Sequence, residues 1–228
     1  ARGVSATLEQ IIVGAGNDYL LMLLCMILGS DYKVAMENPT YKQSYRVFSN
    51  LSYQVCTVNM DENGMLVSEL KKSEADIAFV MPSHHYPLGT VMPLKRRMEL
   101  LKWAEEKPSR YIIEDDYDSE FRYKGKPIPA LQGYDRKEKV IYMGTFSKAI
   151  APSIRIGYMV LPDDLCERYR KEAAFYATTV SRLEQEVVRR FIEEGYFERH
   201  MNRMRGIYKE KHDRLIQALS QWSLPIRW

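Results

Sequence analysis

The residues best suited to chemistry lie in one string, Gly144-Thr145-Phe146-Ser147-Lys148-Ala149-Ile150-Ala151-Pro152-Ser153-Ile154-Arg155-Ile156-Gly157-Tyr158, which follows the apolar run Val140 to Met143. A lysine in a tight turn after a buried strand is shielded from water, which favours the neutral amine that condenses with an aldehyde. Thr145 and Ser147 offer hydroxyls to a phosphate, and Arg155 can hold one through two parallel N–H bonds. By itself a Ser-Lys pair in a loop is usually just solvated. The string gains meaning from what the rest of the chain brings to it.

A second group is Tyr111-Ile112-Ile113-Glu114-Asp115-Asp116-Tyr117-Asp118. Carboxylates after a strand serve as a solvated edge, as a metal site or as the partner of a ring nitrogen. The two-residue period of an extended chain puts Asp115 and Tyr117 on one face, and Glu114, Asp116 and Asp118 on the other. A third group, Ile11-Ile12-Val13-Gly14-Ala15-Gly16-Asn17-Asp18, reads as a strand running through a glycine turn into a helix. That geometry turns free backbone N–H groups and the positive helix end toward an anion, so the amides of Asn17 and Asp18 are candidate phosphate donors. The Asp18 carboxylate would repel such an anion, and its amide is the group expected to face it.

These groups need a scaffold. Apolar runs from Gln10 to Val13, Val34 to Met36, Tyr53 to Val58, Ile77 to Met81, Tyr111 to Glu114, Val140 to Met143 and Ile156 to Val160 predict seven strands. Helical periods fall between them at Tyr19 to Leu28, Thr40 to Ser49, Met65 to Lys72 and Leu94 to Glu106, the last with Leu94, Met98 and Leu101 on one stripe. This alternation predicts an α/β domain, a mostly parallel sheet with helices on both faces. Ligands of such sheets gather at the carboxyl ends of the strands, where all three groups lie. After Asp163 the pattern is helical only, with Leu183, Val187 and Phe191 on one stripe and Met201, Met204, Tyr208, Leu215 and Leu219 on the next. We therefore divide the chain into a core at 1–164 and a helical segment at 165–228.

Composition sets further bounds. With 228 residues and 46% hydrophobic content, the chain has material for one sizeable core. The net charge of +3 is spread among mixed charges and gives this segment no electrostatic footprint for DNA. Cys25, Cys56 and Cys166 stand at unrelated spacings that suit neither a zinc site nor a disulfide framework, as in a cytoplasmic protein. The apolar stretch Tyr19 to Leu28 is about half of what spans a bilayer. The chain opens at Ala1 without an initiator Met or signal peptide and stops at Pro225-Ile226-Arg227-Trp228 as an extended segment begins, so neighbouring domains are expected.

The lysine string closely resembles the Schiff-base signature of fold-type I aminotransferases, where a hydroxyl residue precedes the lysine and a phosphate-binding arginine follows seven or eight positions later. The resemblance implies the large domain of that fold, with most of the small domain lying outside this sequence, and pyridoxal 5′-phosphate (PLP) on Lys148. It implies that Asp115 meets the pyridine nitrogen and Tyr117 the phenolic oxygen. Thr145, Ser147, Arg155, Asn17 and Asp18 would hold the phosphate. The segment Glu37-Asn38-Pro39-Thr40-Tyr41 resembles the one whose tyrosine stacks on the cofactor ring, as against a core aromatic at a helix start.

A narrower resemblance rests on Met81-Pro82-Ser83-His84-His85-Tyr86-Pro87-Leu88-Gly89, on Glu114-Asp115-Asp116-Tyr117-Asp118-Ser119-Glu120-Phe121-Arg122-Tyr123, on Ile128-Pro129-Ala130-Leu131-Gln132-Gly133 and on Tyr142 to Lys148. These look like the MocR/GabR regulators, bacterial transcription factors with a winged helix-turn-helix ahead of an aminotransferase-like domain. Tyr86 stands where aminotransferases carry an asparagine toward the phenolic oxygen, and is a cofactor-contact candidate. Adjacent histidines without further ligands are poor chelators, and no metal is expected at His84 and His85. The resemblance implies a sensor in which an amino-acid-like effector displaces Lys148 to form an external aldimine, altering DNA binding by an N-terminal domain. It also implies a homodimer. GABA-responsive members carry an arginine two positions after the stacking tyrosine; Gln43 stands there, which counts against gamma-aminobutyrate. An aminotransferase using Lys148 as proton shuttle is the alternative, and a cofactor-free scaffold would leave Lys148, Asp115 and Arg155 as coincidence.

Overall fold

The computed structural model describes residues 2–118, 120–121 and 129–220. Ser119, Arg122, Tyr123 and Ile128 of the motifs above, and the stretch Pro225 to Trp228, lie outside the described residues. The strands are β1 (Ile11–Gly14), β2 (Lys33–Asn38), β3 (Gln54–Asp61), β4 (Gly64–Met65), β5 (Ile77–Val80), β6 (Tyr111–Asp116), β7 (Val140–Thr145) and β8 (Gly157–Val160). All seven expected strands are present. The eighth, β4, is a two-residue return that pairs with the end of β3 and is too short to show a period.

The strand order is β1-β8-β7-β6-β5-β2-β3-β4. The pairings β7-β6, β6-β5, β5-β2 and β2-β3 are parallel, whereas β8 runs antiparallel to both β7 and β1. Apart from β4, then, only β8 is reversed, and its amino end lies beside the carboxyl ends of its neighbours. Every residue of β5 and β6 is buried, as strands covered by helices on both faces must be.

The covering helices are α1 (Asn17–Leu28), α2 (Lys42–Asn50), α3 (Val67–Lys72), α4 (Leu94–Glu105) and α5 (Asp163–Glu172). Alternate side chains of each strand feed two cores. Phe79, Ile113 and Met143 pack with Leu20, Leu24 and Phe48 of α1 and α2. Ala78, Ile112 and Val140 pack with Leu70, Leu100 and Trp103 of α3 and α4. Each fully buried side chain of this size is worth roughly 1.5–3 kcal/mol. By strand parity, Asp115 shares the α1 face with Ile113, and Glu114 and Asp116 share the α4 face with Ile112.

Of the stripe expected on α4, Leu101 faces inward and the other two members do not. Leu94 and Met98 are exposed, and the inward face carries Arg97, Leu100, Leu101 and Ala104. The buried guanidinium of Arg97 donates to the carbonyls of Met92 (2.9 Å), Pro129 (2.8 Å) and Pro82 (2.7 Å), tying two loops to the helix. A charged residue with three backbone acceptors takes an interior position that hydropathy alone assigns to the surface.

The chain divides into two compact units, Ala1–Ser119 with Pro127–Ser181, and Glu120–Lys126 with Arg182–Trp228. In the second, α6 (Arg182–Glu193) and α7 (Tyr196–Ser220) carry the predicted helical pattern. Leu183 and Val187 of the first stripe and Leu215 of the second are exposed, while Val188 and Met201 are buried. Phe121 packs edge-on against Tyr208, at 5.1 Å between centroids, and Arg205 donates to the Glu120 carbonyl. Among the described residues the three cysteines are free, no group of ligating side chains could hold a metal, and no helix is long and apolar enough to cross a membrane.

Candidate functional site

An open pocket of about 350 Å³ sits in the first unit at the carboxyl ends of β1, β6 and β7. Its lining includes all ten residues singled out in the sequence: Asn17, Asp18, Tyr41, Tyr86, Asp115, Tyr117, Thr145, Ser147, Lys148 and Arg155. Gly16, Ser44, Met81 and Pro152 complete it. The volume suits a small organic molecule, for which pockets run from about 300 to 1,000 Å³.

Consider first the anion-binding end. β1 ends in a turn where Gly16 has φ 88°, a conformation that favours glycine, and α1 begins at the next residue. The amides of Asn17 and Asp18 belong to the first helical turn, which has no intrahelical acceptors for them. Arg155 is itself left-handed, at φ 46°, and its guanidinium lies across Gly16, where a Cβ would stand 3.0 Å from Nη2. The loop after β7 is shaped by Thr145, whose Oγ1 accepts from the Ser147 amide (3.1 Å) and donates to the Ile156 carbonyl (3.3 Å). Ser147 Oγ is buried and has no hydrogen-bond partner among the described residues.

The other end of the pocket is built from β6 and the residues just after it. Asp115 accepts from Asn17 Nδ2 at 3.0 Å, and burial, reinforced by the neighbouring Asp116, pushes its carboxyl up to about 7. Asn17 thus contributes its side chain to Asp115 as well as a first-turn amide. Tyr117 is half-buried, its hydroxyl pushed up by burial and by Asp118. His84 stacks on Tyr117, with ring centroids 6.1 Å apart, and its Nδ1 lies 2.7 Å from Asp118 Oδ2. Tyr41 stands at the N-cap of α2, outside the core, and meets Tyr86 edge-on at 5.6 Å.

Three expectations change. Lys148 lies in a turn after the buried strand β7, as expected, but is exposed in the pocket and not shielded from water. The Asp18 carboxylate, expected to matter less at this end than its amide, stands 3.6 Å from Arg155 Nη2. Gln43 is exposed outside the lining, and Ser44 takes the inward place on α2. Ser44 and Met81 escaped the sequence reading because neither carries distinctive chemistry; Ser44, three residues after Tyr41, shares its helix face and gave the one usable signal. His84 was weighed only as a metal ligand.

The donor set fits a phosphorylated pyridine aldehyde. A buried hydroxyl without a partner among the described residues, first-turn amides and a guanidinium sit at one end, and the buried Asp115 carboxyl lines the pocket and could meet a ring nitrogen. This is the site of a fold-type I PLP protein. The comparisons agree: the family described as aminotransferase class I and II matches residues 2–227. The chain belongs to that family, and its curated relatives include HTH-type transcriptional regulators. It is 41% identical over 221 residues to the uncharacterized HTH-type transcriptional regulator YdeL of Bacillus subtilis, covering 97% of this chain and 48% of that protein. To the probable rhizopine catabolism regulatory protein MocR of Rhizobium meliloti it is 35% identical, covering 92% and 43%. The kynurenine aminotransferase structure of Pyrococcus horikoshii superposes with a TM-score of 0.85 at 29% identity, over 98% of this chain and 57% of that one. The chain spans about half the length of the curated relatives it matches.

Proposed function

We propose that this domain is the ligand sensor of a MocR/GabR-type transcriptional regulator, holding PLP on Lys148 and responding to an amino-acid-like effector. DNA binding belongs to a winged helix-turn-helix outside this chain, and the working form is a cytoplasmic homodimer. The cofactor supplies an aldehyde that condenses with amines and a protonated ring that withdraws electrons. The chain supplies the rest. Asp115, positioned by Asn17, keeps a proton at the ring nitrogen. Tyr117 meets the phenolic oxygen, Tyr41 covers one ring face, and Arg155, Ser147, Thr145 and the amides of Asn17 and Asp18 hold the phosphate. A sensor needs only that effector binding favour one conformation, with coupling on the order of 1–3 kcal/mol.

The observation that carries the sensor reading over an aminotransferase is Tyr86. Where aminotransferases place an asparagine amide, this ring packs edge-on against Tyr41 and is half-exposed. Turnover asks for reacting groups aligned to within about 1 Å, and losing one oriented donor can cost on the order of a hundredfold. In the test, the full-length protein is mixed with L- and D-amino acids while its visible cofactor band and keto-acid release are followed. The expected outcome is a changed band with no keto acid. Keto-acid release at about 1 per second or faster would return the chain to the aminotransferases. Borohydride reduction should fix the cofactor on Lys148, and labelling of another lysine overturns that assignment.

A further inference from the structure

The phosphate end of the pocket holds a charge that works against a phosphate. Asp18 Oδ2 lies 3.6 Å from Arg155 Nη2, on the guanidinium that crosses Gly16. Asp18 is the second residue of α1, so its carboxylate also sits at the positive end of the helix, among the amides that an anion would use. Both partners are about half-exposed, at 58% for Arg155 and 43% for Asp18. An exposed pair of this kind adds little to stability. Its effect falls instead on whatever second anion approaches the same donors.

We propose that Asp18 is a resident anion that competes with the cofactor phosphate for Arg155 and the first turn of α1, holding cofactor affinity below what the donor set allows and keeping the cofactor exchangeable. The proposal rests on the reading of Arg155 as the phosphate arginine. Two anions cannot share one guanidinium without repulsion, and solvent exposure lets the carboxylate swing aside at a cost rather than exclude the phosphate. The guanidinium lies against Gly16, beside the first turn of α1, so a phosphate using both would meet the carboxylate there.

The experiment titrates full-length protein, freed of cofactor, with PLP and with pyridoxal, which lacks the phosphate. For Asp18→Asn we expect PLP to bind about tenfold tighter and dissociate more slowly, with pyridoxal binding unchanged. Asp18→Glu, which keeps the charge, should behave as the parent. A structural role for Asp18 would instead shift both ligands together and lower the melting temperature. Unchanged or weaker PLP binding by Asp18→Asn overturns the proposal. Arg155→Gln tests the underlying reading separately: it should erase most of the preference for PLP over pyridoxal. If that preference survives, the phosphate lies elsewhere and the reading of Arg155 fails.

Discussion

Neighbouring acids of β6 have opposite fates on the two faces of one strand. On the α4 side, Glu114 accepts from the amides of Leu131 (2.8 Å) and Gln132 (2.9 Å). Asp116 accepts from Arg2 Nε (3.0 Å) and from the Tyr142 hydroxyl (2.7 Å). Arg2 also bonds Ser83 Oγ and gives its carbonyl to the Ala130 amide, so these two acids clasp the amino-terminal arm and the turn at 130–132. On the α1 side, Asp115 is equally buried and receives one side-chain donor, Asn17. Burial does not distinguish structural from functional acids here. Position does: Asp115 lines the pocket with one side-chain donor, whereas Glu114 and Asp116 lie outside the lining and both donors to Asp116 fall on Oδ2.

The sharpest way to break this comparison is Asp116→Ala. It removes the acceptor shared by Arg2 Nε and the Tyr142 hydroxyl, and should destabilise the fold by about 3 kcal/mol in denaturant titrations. Cofactor affinity of the folded protein should hold within about twofold. Asp115→Ala should do the reverse, weakening cofactor binding about a hundredfold, equivalent to about 2.7 kcal/mol, while the melting temperature of cofactor-free protein is kept. Equal effects of the two substitutions on cofactor binding would erase the distinction between the faces. Glu114→Gln comes next: it leaves one of two backbone amides facing an NH₂ group and should cost about 1–3 kcal/mol without touching the pocket.

The smallest effect is on pH dependence. Burial raises Glu37, Glu114 and Asp115 to about 7 from carboxyl values near 4. A raised carboxyl binds its proton more tightly when folded, so its contribution is complete below the unfolded value and is lost as pH climbs through the folded one. Stability of the cofactor-free protein should therefore fall from about pH 4 to pH 7. Asp115→Asn should remove its share of the slope, and saturation with cofactor should do the same by setting a ring cation against the carboxylate. A slope unaffected by either would show that Asp115 is not the group left wanting.

The sequence made much of this legible, for reasons that differ by element. Apolar runs marked all seven longer strands, most plainly β5 and β6, which are buried on both faces; β4 was not readable, since two residues carry no pattern. Period two separated Asp115 and Tyr117 from Glu114 and Asp116 without any structure. What it could not show was which acids meet partners distant in the chain, such as Arg2 across 114 residues. The inward turn of Arg97 depends on carbonyls from Pro82 and Pro129, and the stacking of His84 on Tyr117 joins two loops. Such features arise from tertiary neighbours, and local hydropathy misassigned the first and missed the second.

The reversal of β8 turns the loop between β7 and β8 into a ruler. Thr145 and Gly157 are paired across the two strands, and the Phe146 amide closes on the Ile156 carbonyl at 2.9 Å. Lys148 and Arg155 therefore hang from one short loop clamped at both ends. The separation of the group that would take the aldehyde from the group that would take the phosphate is gauged within a single covalent segment. No movement between units has to be right for that length to be right. The loop can ride with the sheet while its two reference points keep their spacing, and a one-residue insertion between them would spoil the measure without disturbing a single strand.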